Sequence, residues 1–196
     1  MYKHFFKRVV DILIGLIALP FVLLVVAIFG PIIYFTDKGP IFYNAERMGI
    51  NGHVFKMFKL RSMYVNVPDL RNKDGSTFNS DHDPRVTTIG RFLRKTSIDE
   101  IPQFLNVLIG DMSLVGPRPS LTTTPYSEYN EVRRKRVSVK PGVTGYAQAY
   151  YRNSITQDEK FHWDAYYADN ISFWMDVKIL FHTIYSVIVR SNINTK

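Results

Sequence analysis

Asp99 and Glu100 stand side by side, Pro102 follows closely, and Arg118 is held between Pro117 and Pro119. A carboxylate can attack phosphorus as a nucleophile, or hold a hard divalent cation through oxygen. A guanidinium can grip two phosphate oxygens at once, and flanking prolines restrict the backbone that carries it. These residue types therefore suit a phosphate-handling site. A purely structural reading also exists. Ser97-Ile98-Asp99-Glu100 is a capping-box pattern, in which Glu100 would only bond the backbone of Ser97. Pro102 disfavours a helix begun at Ser97 and fits better as the first helical residue, leaving both acids at the positive end of the helix dipole. Spacing alone leaves the two readings evenly balanced.

Cations and amides surround this run. Arg91, Arg94 and Lys95 precede the acid pair, and Lys59 and Arg61 alternate onto one face of an expected strand. Asp111 follows Gly110 and reads as a turn cap. Gly142 and Gly145 predict tight turns, and Gln148 beyond them is a candidate nucleotide contact that nothing local demands. Asp158, Asp164 and Asp169 are weaker candidates still. The chain has no cysteine, which excludes disulfides and thiolate metal sites. Its five histidines are scattered without metal-ligand spacing, which argues against zinc.

The elements that must position these groups are mostly helices. Residues 101–109 predict a helix with Ile101, Phe104, Leu105 and Leu108 facing inward. Residues 41–44 and 54–60 predict a small β-hairpin around Asn51-Gly52. The polar stretch 69–84 predicts a loop, either plain surface or a lid over a site. Residues 126–137 predict a charged helix carrying Arg133, Arg134, Lys135 and Arg136, a solvated face or a headgroup-binding one. Residues 171–189 predict an amphipathic helix. Asp176, Lys178 and His182 interrupt it, so a second membrane span is disfavoured, while an interfacial and a core position stay equally open.

At 196 residues the chain suits one domain plus an anchor. Residues 12–36 carry no charge, and a straight helix of that length rises about 36 Å, enough to cross a hydrocarbon core of about 30 Å. Two features oppose a simple span. Pro20 lies inside the segment, and basic residues flank both ends: Lys3, Lys7 and Arg8 before, Lys38 and Arg47 after. Cytoplasmic retention of both flanks predicts a re-entrant hairpin bent at Pro20. A signal peptide is disfavoured by Asp11 and by the length of the apolar run.

Five ordered blocks resemble the bacterial sugar transferases, the small monotopic phosphoglycosyl transferases. They are the apolar N-terminal segment, Lys59-Leu60-Arg61-Ser62-Met63, Asp83-Pro84-Arg85-Val86-Thr87 with Gly90-Arg91, residues 96–119, and residues 140–148. Tyr146 stands where the family usually has Trp, and Leu19 where Ser often precedes the proline. The resemblance covers nearly the whole chain and is strongest to single-domain members such as the initiating transferase of a bacterial protein N-glycosylation pathway.

The resemblance implies an α+β fold, mainly helical with a small β-hairpin and interfacial amphipathic helices. Residues 1–38 would form a re-entrant helix–break–helix, and residues 39–196 a catalytic domain on the cytoplasmic face of the bacterial inner membrane. The implied reaction moves a sugar-1-phosphate from a UDP-sugar, an N-acetylated hexose, to polyprenol phosphate, releasing UMP. Asp99 would be the nucleophile, and Asp99 and Glu100 would hold Mg²⁺. Arg118, Arg94, Lys59 and Arg61 would bind phosphate, and Gln148 the nucleotide. A net charge of +8 also fits a membrane-anchored basic module that binds anionic lipid or nucleic acid without catalysis. That reading gives no reason for the acid pair, and no nucleic-acid-binding motif is visible. A third reading, a membrane diphosphatase, would release sugar phosphate without a lipid acceptor.

Overall fold

The computed structural model describes residues 1–68, 70, 78, 80, 83–152 and 154–188. After a π-helical turn at Tyr2–Phe6, helix α1 (Lys7–Asp37) runs through both Pro20 and Pro31. The segment expected to form helix–break–helix is thus one continuous hydrogen-bonded helix with two prolines inside it. A proline removes one hydrogen bond and bends a helix, but the bonds on either side carry this one past it. Lys38, in the left-handed region at φ 54°, ends α1. Among the described residues α1 is the one helix long and apolar enough to cross a membrane. Leu13, Ile17, Phe21, Leu24 and Ile28 are exposed on it.

Both ends of α1 are fastened to the domain that follows. Near its start, Arg8 donates to the carbonyls of Val107 and Leu108, and buried Asp11 accepts from Ser113 Oγ (3.1 Å) and the Leu114 N–H (2.9 Å). At its end, Asp37 receives both Nη groups of Arg61 at 2.6 Å. The hydrophobic packing repeats this division. Val10 and Ile14 pack on the main core of Phe55, Met57, Val107, Met112, Leu114, Val115, Tyr167 and Ile179. Val25, Val26 and Phe29 join Ile33 in a second core with Leu60 and Leu93.

Strands β1 (Ala45–Met48) and β2 (Val54–Met57) form the expected antiparallel hairpin, with Ala45 opposite Met57 and Met48 opposite Val54. Asn51 and Gly52 take positive φ, 51° and 86°, in the connection. The first strand begins at Ala45, later than the sequence pattern predicts. Pairing reaches Phe42 and Leu60 only as an isolated bridge, because the Phe58 N–H turns to the Asn106 side chain (2.8 Å).

Helix α2 (Thr88–Thr96) is capped by the Thr87 hydroxyl, which accepts from the Gly90 N–H. Helix α3 (Gln103–Ile109) buries Gln103, Asn106 and Val107, a face rotated from the expected one. Asn106 drives the rotation by also donating to the Lys56 carbonyl (2.9 Å), and Leu108 is turned against Gly15 of α1. Strand β3 (Ser113–Val115) pairs in parallel with β4 (Gly142–Thr144), a second small sheet that the sequence pattern does not predict.

The charged helix expected over residues 126–137 is a 3-10 turn at Tyr126–Glu128 and a short helix, α4 (Glu131–Arg136). They are divided where Asn130 caps α4 through its side chain. Helix α5 (Tyr146–Tyr150) and helix α6 (Gln157–Asp169) follow, and Thr156 and Glu159 close a true capping box at the start of α6. Helix α7 (Phe173–Ile188) buries Ile179 and Asp176, while Phe173, Trp174, Phe181, Ile184 and Tyr185 stay exposed. Asp176 accepts from Tyr2, Lys7 and Tyr167, which ties α7 to the start of the chain. Most of the loop expected over residues 69–84 lies outside the described residues.

Candidate active site

Ser97 ends α2 in the left-handed region at φ 58°, and the next three residues, Ile98–Glu100, form a 3-10 turn. This geometry settles the local ambiguity at the acid pair. The Ser97 side chain caps nothing, and the Glu100 carboxylate is turned to two cations instead of the Ser97 backbone. Pro102 is the cap residue of α3, one position earlier than the first-helical place expected for it.

Backbone pairing brings the first cation in. The Leu60 N–H donates to the Asp99 carbonyl (2.9 Å), which sets neighbouring Lys59 against the acids. Lys59 Nζ lies 2.9 Å from Asp99 Oδ2 and 3.2 Å from Glu100 Oε1. Its hydrogen bond goes to Glu100, and Asp99 Oδ2 is buried at ion-pair distance without an aligned donor. From the other side Arg118 Nη2 reaches to 3.5 Å from Glu100 Oε1. Arg94 is partly buried, fixed by an Nε bond to Ser62 Oγ (2.8 Å), and adds positive charge that Asp99 feels.

The two neighbouring acids are pushed apart electrostatically. Burial raises the Asp99 pKa, with the Glu100 charge adding to it and Lys59 and Arg94 opposing. Burial pushes Glu100 upward too, but Arg118 and Lys59 overcome it and hold its pKa down to about 2. One acid is thus a firm anion shared by two cations, and the other an under-paired oxygen. Two adjacent carboxylates fit Mg²⁺, which commonly takes one or two carboxylates and completes its shell with water and substrate phosphate. Among the described residues no group of three or more His, Cys, Asp or Glu side chains is clustered for a metal.

Arg118 is positioned by the β3–β4 pair. The Gly116 N–H bonds the Thr144 carbonyl and the Gly142 N–H bonds the Pro117 carbonyl, both at 2.9 Å. A Cβ on Gly145 would sit 2.1 Å from the Gly116 carbonyl oxygen. Gly142 and Gly145 therefore serve close approach of two backbones and not the tight turns expected of them, and neither takes positive φ.

Not every residue expected at the site is there. Arg61 is only 6% exposed, and all five of its donors are used, on Asp37 and on the carbonyls of Pro40, Met63 and Ile33. It anchors the end of α1 and has no donor left for phosphate. Gln148 makes no hydrogen bond to the acid pair, and its buried Oε1 has no partner. Asp111 receives the Asn106 amide at 3.4 Å, in keeping with a turn role. Each cation of α4 has a contact within the protein, although Arg134 and Lys135 stay exposed. Arg133 stacks on Tyr129 and Phe161, Arg134 bonds the Tyr129 and Ser127 carbonyls, Lys135 pairs with Asp169, and Arg136 pairs with buried Asp164. The importance of Arg136 and Asp164 was not legible in the sequence, where one sits in a charge run and the other in a charged helix.

The geometry agrees with comparison to known proteins. Residues 2–190 match the family model described as bacterial sugar transferase. The chain is 43% identical over 198 residues to the galactosyl transferase CpsE of Streptococcus agalactiae, covering 96% of this chain and 43% of that protein. It is 44% identical over 154 residues to the sugar transferase EpsL of Bacillus subtilis, covering 79% and 73%. It is 36% identical over 205 residues to the undecaprenyl-phosphate galactose phosphotransferase of Salmonella typhimurium, covering 96% and 41%. The chain thus spans about two fifths of the length of two of these relatives. With a family match over nearly its whole length and its acid pair, lysine and Pro-Arg-Pro corner gathered at one place, this chain belongs to the bacterial sugar transferase family.

Proposed function

We propose that the protein is a phosphoglycosyl transferase that moves a sugar-1-phosphate from a UDP-sugar to polyprenol phosphate. The observation that carries this reading is the under-paired Asp99 Oδ2, placed beside an ionised Glu100 and ringed by Lys59, Arg94 and Arg118. Asp99 attacks the β-phosphorus, the bond from that phosphorus to the bridging oxygen breaks, and UMP leaves with the oxygen. A polyprenol phosphate oxygen then attacks the aspartyl phosphosugar, restoring the carboxylate and giving a polyprenyl diphosphosugar. Such a step sets anion against anion, so positive charge must accompany it. Arg118 is exposed enough to meet the donor's phosphates, and Lys59 can exchange its hold on the acids for one on the substrate. Asp99 and Glu100 would hold Mg²⁺, which supplies further neutralisation of phosphate charge when bound.

The anchoring of α1 supports a re-entrant, monotopic arrangement. Its start and its end are both fastened to the domain formed by the residues after it. With basic flanks at both ends, the helix dips into one leaflet and keeps the domain on the cytoplasmic face of the bacterial inner membrane. The exposed apolar residues of α7, Trp174 and Tyr185 among them, suit the same interface.

The test is UMP release from a panel of UDP-sugars, with N-acetylated hexoses, galactose and glucose as donors, with and without polyprenol phosphate and Mg²⁺. Product should require the lipid acceptor. Free sugar phosphate formed without acceptor would favour a diphosphatase instead. For topology, Lys3→Cys and Lys95→Cys in this cysteine-free chain should both be shielded from an impermeant thiol reagent in intact cells. Labelling of position 3 alone would establish a spanning helix.

A further inference from the structure

Arg118 is 57% exposed on its side chain, and its contact with Glu100 is long. A long, flexible side chain placed that way has about 2 kcal/mol of rotamer freedom to lose. Its aim must therefore come from the backbone that carries it. The carbonyls along this corner are secured one by one: Pro117 by the Gly142 N–H (2.9 Å), Ser120 by the Met48 N–H (2.9 Å). The Arg118 carbonyl, between them, accepts from a side chain, Arg136 Nη2. The same guanidinium donates from Nη1 to Ser120 Oγ and from Nε to Asp164 Oδ2 (2.9 Å). Burial raises the Asp164 pKa, and Arg136 is the chief group that opposes it. The pair therefore meets the corner at the Arg118 carbonyl and at the Ser120 hydroxyl.

We propose that Arg136 and Asp164 are positioning residues for the transfer reaction: they clamp the backbone of Arg118 and so aim its guanidinium at the site of Glu100 and the donor's phosphates. The assignment of a reaction rests on the function proposed above; the clamp itself does not. Both side chains are only 4% exposed, so neither can touch substrate. A buried ion pair is often no more stabilising than apolar residues of the same volume, so stability alone gives this pair little reason to exist. The fork of Arg136 is what spans three acceptors; an ammonium at the same place is a single point charge and cannot hold Asp164, Ser120 and the Arg118 carbonyl together.

The experiment compares wild type, Arg136→Lys, Arg118→Met and the double variant in lipid nanodiscs, reading UMP release and amide hydrogen exchange. Arg136→Lys should lower kcat/KM about tenfold or more in the wild-type background, and less than about threefold when Arg118 is already Met, because coupled residues are non-additive. Exchange at the Met48 amide, which bonds the Ser120 carbonyl beside the clamp, should quicken in Arg136→Lys while the amides of Val107 and Leu114 keep their rates. Asp164→Asn carries the same comparison if Arg136→Lys fails to fold. Equal losses in both backgrounds would show a merely structural role and overturn the proposal. If wild type releases no UMP from any donor, the proposed function fails by itself. The clamp is then judged by exchange, and an unchanged Met48 amide sinks it.

Discussion

Asp83 and Asp99 are equally hidden from solvent, each 1% exposed, yet their surroundings treat them in opposite ways. Arg85 donates to Asp83 Oδ1 from Nε (2.9 Å) and to Oδ2 from Nη2 (2.7 Å), and the Arg85 N–H adds a bond at 3.0 Å. Those bonds hold the Asp83 carboxyl below its ordinary pKa despite burial. At Asp99 burial leads and the neighbouring Glu100 charge adds to it, so the pKa rises even though Lys59 lies 2.9 Å from Oδ2. Exposure is the same; depth and saturation both differ, with desolvation leading at Asp99 and the Arg85 bonds leading at Asp83. A buried acid whose oxygens are all paired is a fastening, whereas one left under-paired among cations is poised to make a new bond or bind a new cation.

The largest effect should come from removing the poised acid. Asp99→Asn should lower turnover by about 10⁴-fold or more, as loss of a covalent nucleophile does. Intact-protein mass spectrometry with UDP-sugar and no acceptor should show the sugar-phosphate adduct on wild type only. An adduct of equal yield on the Asn variant would move the chemistry elsewhere and leave the Asp99 environment without a purpose.

The contrast extends to two arginines that the sequence presents as equals. Arg118 and Arg61 both read as phosphate ligands, and the structure leaves one open and the other with every donor spent. Arg118→Met should lower kcat/KM by about 10²-fold with an unchanged thermal midpoint, the scale of one lost transition-state donor. Arg61→Met should do the reverse. Breaking a buried pair by removing one partner costs about 3–5 kcal/mol, so the thermal midpoint should fall while turnover per folded molecule holds. A loss of turnover at full stability in Arg61→Met would erase the distinction.

This pair of arginines also shows what a sequence can and cannot carry. Of the residues that meet at the site, Asp99, Glu100 and Arg118 are residue types that suit phosphate chemistry beside prolines, yet spacing leaves capping an equal reading, and the roles of Lys59 and Arg94 come from the family resemblance. The hairpin was legible from Asn51-Gly52, whose left-handed backbone is a local property. Arg61 was misread because its role depends on Asp37, a neighbour 24 positions away. The inward face of α3 was misread because a polar residue, Asn106, governs it through contacts about 50 positions away. The parallel β3–β4 pair and the Arg136–Asp164 link escaped for the same reason, since long-range pairing leaves no periodic trace. The capping box at Thr156 and Glu159 is different: its Thr-x-x-Glu signature stood in the chain and was overlooked in favour of the one at Ser97.

The smallest effect, and the most direct measure of the two aspartates, is on stability against pH. The Asp83 pKa is depressed in the folded chain, chiefly by Arg85, so its contribution to stability is present above the unfolded value near 3.8 and disappears as pH falls through the folded value. The Asp99 pKa is raised, chiefly by burial, so its contribution is complete below 3.8 and disappears as pH rises through the folded value. Above 3.8 the raised pKa of Asp99 therefore counts against the fold, and the lowered pKa of Asp83 counts for it. Denaturant midpoints at pH 7 should fall for Asp83→Asn and rise for Asp99→Asn. As the pH is lowered below 3.8 the gain of Asp99→Asn over wild type should vanish, because the wild-type carboxyl is then neutral in both states. Midpoints that move in the same direction for both variants at pH 7 would mean that the cations around Asp99 compensate its burial after all. Asp99 would then be as securely paired as Asp83, and its reactivity would need another source.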